Sequence, residues 1–398
     1  MESDSFLSSI KEEFRKTYIA IFEQDWPSWL AAILIAVLAV FLLLWDGPWG
    51  ITGGYRNTGD WLFYGIGLYR EKPESVPWLH AMFISDFGLF AGAMISALMS
   101  RQFKIRRAPL FEYAKGIIGG ILMGIGSVFA AGCNVGGFFT ASGMLDLGGI
   151  AMMFGLGLGA FIGLKYLLWE MEHVPQRWTV LSAGEPKAST FNWNTIQPVA
   201  GFGVLFLVIL GFYLYSSLNL AQKGGVLFLG ALIGFTMHRS RFCFVRAFRC
   251  PFMTGEAEMV KAVALSLMIY ASGTAIVKWS YLQDPSMGIY HNFWFGSFAG
   301  GVLFGVGMLF SGGCGSSTLW RMGEGHVKLF LTFFTFSLTN SGTAALLDKT
   351  GLTDKLGKGI FMPDIFTWYG TLPLFIAFFL LWALWAIWNE KTEKFVIF

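Results

Sequence analysis

The strongest constraint on the fold is an apolar, glycine-rich segment that occurs twice, at 119–134 and at 300–315. Six identical residues fall in register at a constant offset of 181: Gly119/Gly300, Gly120/Gly301, Gly124/Gly305, Gly126/Gly307, Gly132/Gly313 and Cys133/Cys314. Small residues at this spacing are typical of closely packed membrane helices. A duplicated glycine helix that breaks at Gly-Cys predicts two half-helices that meet at one site inside a membrane.

The composition is that of an integral membrane protein. Of 398 residues, 55% are hydrophobic and 13% are charged, against roughly a quarter charged in soluble proteins. The net charge of +3 is spread over loops, which argues against a nucleic-acid partner. The stretch up to Asp25 is polar and acidic, so we expect no cleavable signal peptide. The four cysteines form no Cys-x-x-Cys motif, and we expect neither a disulfide framework nor a metal or cofactor.

The order of apolar runs predicts an all-α integral membrane protein. Apolar helices are expected at 28–45, 78–100, 113–133, 148–169, 196–215, 224–238, 258–279, 292–314, 327–347 and 366–388. Residues 46–69 are dense in glycine, which indicates a broken or re-entrant helix. The offset of 181 carries the later spans of the first half onto those of the second. We therefore predict an inverted repeat of two five-helix halves with broken or re-entrant helices, and one additional C-terminal transmembrane helix.

This pattern also predicts domain boundaries and orientation. The segments are an N-terminal surface lead (1–27), a first membrane repeat (28–169), a polar linker (170–194), a second membrane repeat (195–347), and a loop with the C-terminal helix (348–398). Five crossings per half would invert the second half. The loop 101–115 carries five Lys or Arg residues and its equivalent 282–296 carries none. Because basic loops stay cytoplasmic, we expect a multi-pass inner-membrane protein with its N terminus outside and its linker and C terminus in the cytoplasm.

Cys133 and Cys314 are the main candidates for a substrate site. A lone buried cysteine is more often a small packing residue, but these two lie at equivalent helix breaks, where transporters bind substrates. The helices that begin after them would offer free backbone N–H groups to an anion. A thiol is a weak donor suited to a soft acceptor such as sulfur or selenium, provided it stays protonated. The candidates at the breaks are Cys133, Cys314, Asn134, Gly132, Gly313 and Gly315.

A basic run with two further cysteines, at 239–251, follows the glycine-containing helix of the second half. Its arginines and phenylalanines fit a cytoplasmic helix end with interfacial aromatic side chains. Cys243 and Cys250 are seven residues apart and would share a helix face. The sharper alternative is a vestibule lined by these thiols and one or two arginines, including Arg241. An offset of 181 places Leu62 opposite Cys243, so no thiol is expected there in the first half.

The remaining titratable residues carry weaker signals. Asp86 lies inside a predicted span and is a candidate for proton coupling, because intramembrane acids are often functional. The five histidines are scattered, and we interpret them as interfacial or structural: His80, His173, His238, His291 and His326.

At these residues the sequence resembles the YeeE/YedE membrane family, whose members are associated with the transport of thiosulfate and other sulfur compounds. The matching stretches are Ala131-Gly132-Cys133-Asn134, Arg241-Phe242-Cys243-Phe244 through Arg249, and Gly312-Gly313-Cys314. Chain length and the region 248–261 resemble most the YedE branch, which is associated with selenium. The resemblance implies an hourglass-like inverted repeat and central cysteines that pass thiosulfate by S–H···S hydrogen bonds. That role would fall to Cys133, Cys314 and Cys243; thiosulfate importers also have a cysteine early in the first half, which this chain lacks.

These observations predict a transporter, not an enzyme, that imports a small sulfur- or selenium-containing anion through a cysteine-lined constriction in contact with membrane lipids. One alternative is a membrane sulfur- or selenium-transfer partner, whose persulfidated cysteines would pass sulfur to a cytoplasmic sulfur-carrier protein. Another is a soft-metal transporter that uses thiolates, although no Met-rich or His-rich entry motif is present. Purely structural cysteines are the remaining alternative.

Overall fold

The computed structural model describes residues 11–13, 15–175, 193–289 and 294–397, which form an all-helical molecule, as predicted. The helices are α1 (Ser28–Trp45), α2 (Thr52–Gly65), α3 (Ala81–Met99), α4 (Leu110–Phe129), α5 (Asn134–Gly143), α6 (Leu147–His173), α7 (Trp193–Ser217), α8 (Ala221–Arg239), α9 (Phe244–Met253), α10 (Glu258–Trp279), α11 (Phe295–Ser311), α12 (Gly315–Gly323), α13 (Val327–Thr350) and α14 (Pro363–Thr392). Most of the predicted linker, at 176–192, and part of the predicted surface lead, at 1–10 and 14, lie outside the described residues.

The helices are long and apolar enough for a membrane. Among the described residues, eight segments pass this test, and the pair α4 and α5, bent by 41°, makes a ninth. Many of their large apolar side chains face outward: α7, for example, exposes Val199, Phe206 and Tyr213. In a soluble protein such a surface would be a liability, but in a bilayer it contacts lipid tails. The chain is therefore a multi-span membrane protein.

The helix order repeats. The first repeat consists of α1, α2, α3, the broken pair α4–α5, and α6; the second consists of α8, α9, α10, the broken pair α11–α12, and α13. Each repeat thus has five helical units, the number predicted, but the predicted second repeat included 196–215, which is α7, and did not count α9 as a unit. The predicted additional C-terminal helix is α14, and α7 is a further helix that packs against α3 and α8. The domain boundaries themselves stay predictions.

The two repeats meet where the duplicated glycine helices cross. A Cβ atom on Gly119 would lie 2.6 Å from the carbonyl oxygen of Gly307, and one on Gly126 would lie 2.6 Å from that of Gly300. With the offset of 181, Gly119 corresponds to Gly300 and Gly126 to Gly307, so the two contacts are equivalent. Reciprocal contacts of this kind are the mark of a two-fold axis. Because the two helices run antiparallel, the axis lies across them, as the inverted repeat requires.

The helices α2 and α9 enter the molecule only part of the way. The end of α1 and the segment before α3 both contact the place where α7 ends and α8 begins: Trp45 Nε1 donates to Gln222 O at 2.9 Å, and Tyr215 Oη donates to Trp78 O at 2.8 Å. The segments before and after α2 therefore lie at the same end of the molecule, so α2 is re-entrant. The ten residues of α9 span only about 15 Å, too little to cross a bilayer core.

Residues near the two ends of the described chain lie at the same end of the molecule. Arg239 at the end of α8 pairs with Asp25, just before α1, at 3.2 Å, and Ile397, the last described residue, donates its backbone N–H to Phe252 O at 2.8 Å. Asp25 and Ile397 therefore both lie near α9. The sequence placed the two ends on opposite sides because it counted α2 as a crossing, whereas the contacts of Trp45 and Trp78 make α2 re-entrant.

Candidate functional site

The two helix breaks have the same backbone conformation. Ala131 and Gly312, at equivalent positions, both have left-handed torsions, with φ of 53° and 74°. Two residues later, Cys133 has φ −85° and ψ −173°, and Cys314 has φ −96° and ψ −173°. In each repeat the cysteine then becomes the N-cap of a short helix. The predicted break at Gly-Cys therefore occurs twice, in one geometry.

Two further helix N-termini, with other backbone torsions, lie beside these two. Besides Cys133 at α5 and Cys314 at α12, Ile51 is the N-cap of α2 and Cys243 is the N-cap of α9. By helix order, the residue equivalent to Cys243 is thus Ile51, which corrects the pairing with Leu62. The offset here is 192 residues rather than 181. The expectation that the first repeat lacks this thiol still holds for Ile51.

The two breaks touch each other across the axis. A Cβ atom on Gly315 would lie 3.1 Å from Cys133 Sγ and 3.7 Å from Ile51 Cγ2. The sulfur of Cys133 also accepts a hydrogen bond from the backbone N–H of Val135 at 3.3 Å. Tyr55 of α2 donates from its hydroxyl to the carbonyl oxygen of Gly315 at 2.9 Å. Cys133 therefore lies directly against the N-terminus of the other repeat's short helix.

Cys314 is held by side chains rather than by the backbone alone. Its backbone N–H donates to Ser317 Oγ at 2.7 Å, and its sulfur lies 3.0 Å from the same oxygen and 3.5 Å from Ser316 Oγ. The thiol of Cys243 is within hydrogen-bonding reach of Cys314 and of Ser317. The two thiols of the second repeat are thus neighbours.

Asn134 follows Cys133 and is fully buried, and neither its amide nitrogen nor its amide oxygen has a hydrogen-bond partner. An unpaired buried amide is costly and calls for an explanation. Because Asn134 lies at the N-terminus of α5, its amide N–H groups are free donors beside Cys133. The neighbouring glycines are required by space: a Cβ on Gly132 would lie 2.9 Å from the backbone carbon of Gly136, and one on Gly313 would lie 3.1 Å from Thr318 Oγ1.

The centre is closed in this structure. Cys133 and Cys314 are fully buried and Cys243 is 2% exposed. Aromatic rings pack together after Cys243: Phe244 meets Phe139 edge-on at 5.5 Å, and Phe139 stacks on Tyr270 with centroids 5.2 Å apart. The three thiols therefore lie in a closed centre that has a cavity on either side.

On one side lies a cavity of about 360 Å³, the arginine vestibule, lined by Arg106, Arg241, Cys243, Arg246, Trp320, Arg321, Glu324 and His326. Arg321 donates to Gly312 O at 2.8 Å and so supports the second break. The indole N–H of Trp320 has no partner. Cys243 and Arg241 both line this vestibule, whereas Cys250, further along α9, does not. Cys250 is 6% exposed.

Glu324 is the acid of the arginine vestibule. Its carboxylate lies 2.8 Å from Arg241 Nη1, 3.2 Å from Arg106 Nη2 and 3.5 Å from His326 Nε2. Burial alone would raise the pKa of Glu324, but hydrogen bonds from His326 and Arg241 hold that pKa well below its usual value. The carboxylate therefore stays charged and neutralises part of a strongly basic cavity.

On the other side lies a cavity of about 340 Å³, the opposite vestibule, which includes Gly50, Thr52, Arg56, Ala131, Gly136 and Asp348 in its lining. It is at the far end of α4, a helix of 20 residues or about 30 Å. Arg56 and Asp348 pair across its mouth at 3.3 Å and are both exposed. Ile51 separates this vestibule from the thiols.

Three of the residues described above had little signal in the sequence. Ile51 is an ordinary apolar residue, Glu324 lies 83 positions from Arg241, and Arg321 falls in a short loop-like stretch. Only the changed offset of α2 and α9 could have pointed to Ile51. Among the described residues, no group of three His, Cys, Asp or Glu side chains is placed to hold a metal ion.

Two antiparallel repeats, two broken helices that meet at the centre and a vestibule on either side define a class of protein, the inverted-repeat membrane transporter. The chain belongs to the Sulphur transport family, whose model matches residues 4–162 and 239–397. The predicted family is thereby confirmed. Because the family and its relatives are transporters, the protein is a transporter and not an enzyme.

Curated relatives fall into two groups. The chain is 26% identical over 331 residues to the "Probable transporter YedE" of Escherichia coli K12, with 79% of each chain covered. It is 32% identical over 120 residues to the "Thiosulfate transporter TsuA" of Spirochaeta thermophila, which covers 30% of this chain and 34% of that one. The Escherichia coli TsuA is 30% identical over 115 residues. Thiosulfate is thus named as the cargo of the TsuA relatives.

Proposed function

We propose that this transporter imports a small sulfur- or selenium-containing anion, thiosulfate-like in size, through the constriction of Cys133, Cys314 and Cys243. The observation that carries the proposal is the meeting of the two breaks, where Cys133 Sγ lies against Gly315, the residue after Cys314. A substrate that crosses the two-fold axis at this point passes from one thiol to the next.

Charge and polarity at the constriction favour an anion. The N-termini of α2, α5, α9 and α12 all point at the constriction, and helix N-termini carry partial positive charge. The amide of Asn134 supplies a free donor. Four arginines line one vestibule against the single carboxylate of Glu324. A bare metal cation would be repelled by this arrangement.

The donors at the narrowest point favour a soft atom. Thiols are weak donors, so they cost little to desolvate and bind a polarisable sulfur or selenium atom better than a hard oxygen. Thiosulfate carries a terminal sulfur of this kind, and TsuA is named as a thiosulfate transporter. The longer match to YedE and the absence of a thiol at Ile51 leave a selenium analogue as the competing substrate.

The same proposal assigns an orientation. Basic residues concentrate on the cytoplasmic side of inner-membrane proteins. The arginine vestibule, the loop 101–107 and both described chain ends lie together, so we assign this end to the cytoplasm. Substrate would then enter at the opposite vestibule and leave past Cys243.

Sulfur transfer is the second candidate function, and the position of Cys243 favours it. Cys243 is the thiol that lines a vestibule, so a cytoplasmic sulfur-carrier protein would meet it first. The Cys243 thiolate would attack the terminal sulfur of thiosulfate, so that the thiosulfate S–S bond breaks, a persulfide forms and sulfite leaves. Detection of that persulfide and of released sulfite during turnover, with no intact thiosulfate inside the vesicles, would establish this alternative.

The test is uptake of labelled thiosulfate into proteoliposomes, with selenite and selenosulfate as competitors. We expect saturable uptake that falls about 100-fold in Cys133→Ala and in Cys314→Ala, because each removes a transition-state contact. Cys250→Ala is the matched control and should retain uptake. The degree to which selenite or selenosulfate inhibits thiosulfate uptake shows whether a selenium or a sulfur compound binds better. Full uptake in both central variants would show that the cysteines are structural.

A further inference from the structure

Asp86 of α3 is a buried acid with no partner. It is 4% exposed, and neither carboxylate oxygen has a hydrogen-bond partner. A Cβ atom on Gly54 of α2 would lie 2.9 Å from Asp86 Cγ, so the carboxyl group is pressed against that helix. An isolated carboxylate is costly inside a membrane, and such acids mark proton or ion pathways. By contrast, Glu324 is paired with arginines and Glu170 with Lys115.

The elements packed around Asp86 offer it no cation. A cavity of about 300 Å³ beside it is lined by Gly54 and Thr58 from α2, Phe83, Phe87 and Phe90 from α3, Leu319 and Met322 from α12, and Phe330, Phe333 and Phe334 from α13. On its other flank α3 packs against Gly230 of α8. Tyr55 and Cys133 are close enough to Asp86 for its charge to act on them.

Those two groups belong to the constriction. Tyr55 follows Gly54 in α2, and its hydroxyl donates to the carbonyl oxygen of Gly315 at 2.9 Å. Cys133 lies on the other side of Gly315. A negative charge on Asp86 would therefore repel an anion at the constriction, and a protonated Asp86 would not.

Asp86 also lies next to the entrance. Met82 is four residues earlier on α3, so its side chain covers the same helix face one turn away. Met82 lines the opposite vestibule, and a Cβ on Gly50 would lie 3.3 Å from its sulfur. A methionine side chain is flexible, and a change of its rotamer would connect Asp86 with the vestibule through which the anion enters.

We propose that Asp86 is the proton site of an anion–proton symporter. The inference rests on the proposed anion import. One proton from the opposite vestibule binds Asp86 as the anion binds at the constriction, and it leaves when the anion leaves. Each event favours the other, because linkage is reciprocal. Inward movement of an anion against a negative-inside potential costs free energy in proportion to its charge, and the proton offsets one charge.

The test uses proteoliposomes with a pH-sensitive dye inside and labelled thiosulfate outside, at zero membrane potential. In the wild type, an inward proton gradient stimulates uptake, and thiosulfate acidifies the lumen. Asp86→Asn keeps thiosulfate exchange but loses both effects. Asp364→Asn, an exposed acid at the start of α14, is the matched control and behaves as the wild type. Gradient-driven acidification that persists in Asp86→Asn overturns the proposal.

A second measurement avoids turnover. Thiosulfate added to the protein in detergent should draw one proton per site from solution in the wild type and none in Asp86→Asn. Its affinity should rise by up to about tenfold per pH unit of acidification in the wild type only. Proton uptake by the Asn variant rejects Asp86 as the site. If the wild type transports thiosulfate into vesicles without moving protons, the coupling is rejected and the proposed function stands. If the wild type transports none of the tested anions, the proposed function itself is rejected.

Discussion

At the first helix break the sulfur of Cys133 accepts one backbone N–H, at 3.3 Å, and its neighbour Asn134 has no partner. At the second break the sulfur of Cys314 lies among hydroxyl groups and beside a second thiol, Cys243. The backbone torsions of the two cysteines differ by no more than about ten degrees. Duplication has therefore conserved the scaffold, and divergence has acted on what surrounds each sulfur.

The difference continues outward from the breaks. Beyond the first break lies a vestibule whose mouth has one exposed ion pair, Arg56 with Asp348. Beyond the second lies the arginine vestibule with its buried carboxylate, Glu324. Soft donors and positive charge are concentrated at one end of this path. An anion would therefore bind more strongly at that end, although the backbone is two-fold symmetric. On the proposed import path, the second repeat would therefore supply most of the groups that bind the substrate.

The largest expected effect comes from the crossing that both breaks share. Gly126→Val should abolish folded protein, because even a Cβ would lie 2.6 Å from Gly300 O. Its symmetry mate Gly307→Val should fail equally, since the corresponding distance to Gly119 O is 2.8 Å. Yield of monodisperse protein in detergent measures this. Gly157→Val on α6 is the control, because nothing lies within 4 Å of its Cβ position. Unequal effects of the two mates would argue against a two-fold crossing.

The next effect concerns Glu324 in the arginine vestibule. Glu324→Gln should lower the free energy of unfolding by about 2 kcal/mol, because it leaves Arg106 and Arg241 without their carboxylate, discounted for partial exposure of both arginines. The wild-type pKa of Glu324 is below its usual value, so this stabilisation is present above the ordinary pKa of glutamate and is lost only as pH falls further. Thermal unfolding in detergent should therefore show an equal gap between the two proteins from pH 8 to pH 5. A gap that closes within that range would contradict the assignment.

Much of this arrangement follows from the sequence and some of it cannot. The glycine and cysteine identities at a constant offset predict the repeat, the crossing and the breaks, because close helix approach needs glycine and a helix break needs few residue types. The offset is not constant over the whole chain, since Ile51 precedes Cys133 by 82 positions whereas Cys243 precedes Cys314 by 71. For that reason the sequence paired Cys243 with Leu62 and not with Ile51. It also counted α2 as a crossing, because glycine density does not show how far a helix enters the membrane.

Long-range charge pairing was also out of reach. Glu324 meets Arg106 and Arg241 only because the loop after α3 pairs with the start of α13: Val327 donates to Arg106 O at 3.1 Å. Nothing local in the sequence indicates that contact. The vestibule predicted from Cys243 and Arg241 does exist, whereas Cys250 was placed in it on helix periodicity alone. Periodicity failed there because Cys243 precedes the helix as its N-cap.

A smaller effect is expected from Ser317, whose hydroxyl supports the second break and has no counterpart at the first. Ser317→Ala removes the hydroxyl that receives the Cys314 backbone N–H at 2.7 Å and contacts its sulfur. Loss of such a cap costs about 1 kcal/mol, and we expect thiosulfate uptake to fall about fivefold as the thiol loses its orientation. Ser316→Ala is the matched control, with a longer contact of 3.5 Å, and should change uptake less. Equal effects of the two serines would show that the capping bond does not position Cys314.

The smallest expected effect distinguishes the two thiols of the basic run. Cys250→Ala should leave uptake unchanged within about twofold, because Cys250 is buried away from the arginine vestibule. The sharper readout is chemical. In Cys250→Ala and in Cys243→Ala, both of which keep the buried Cys133 and Cys314, a negatively charged thiol reagent should modify Cys243 faster than Cys250, since four arginines concentrate anions beside Cys243. Thiosulfate should slow that reaction, and high salt should reduce the difference. Equal rates at the two cysteines, or no protection by thiosulfate, would mean that the anion path does not pass Cys243 and that the second repeat differs from the first only in its packing.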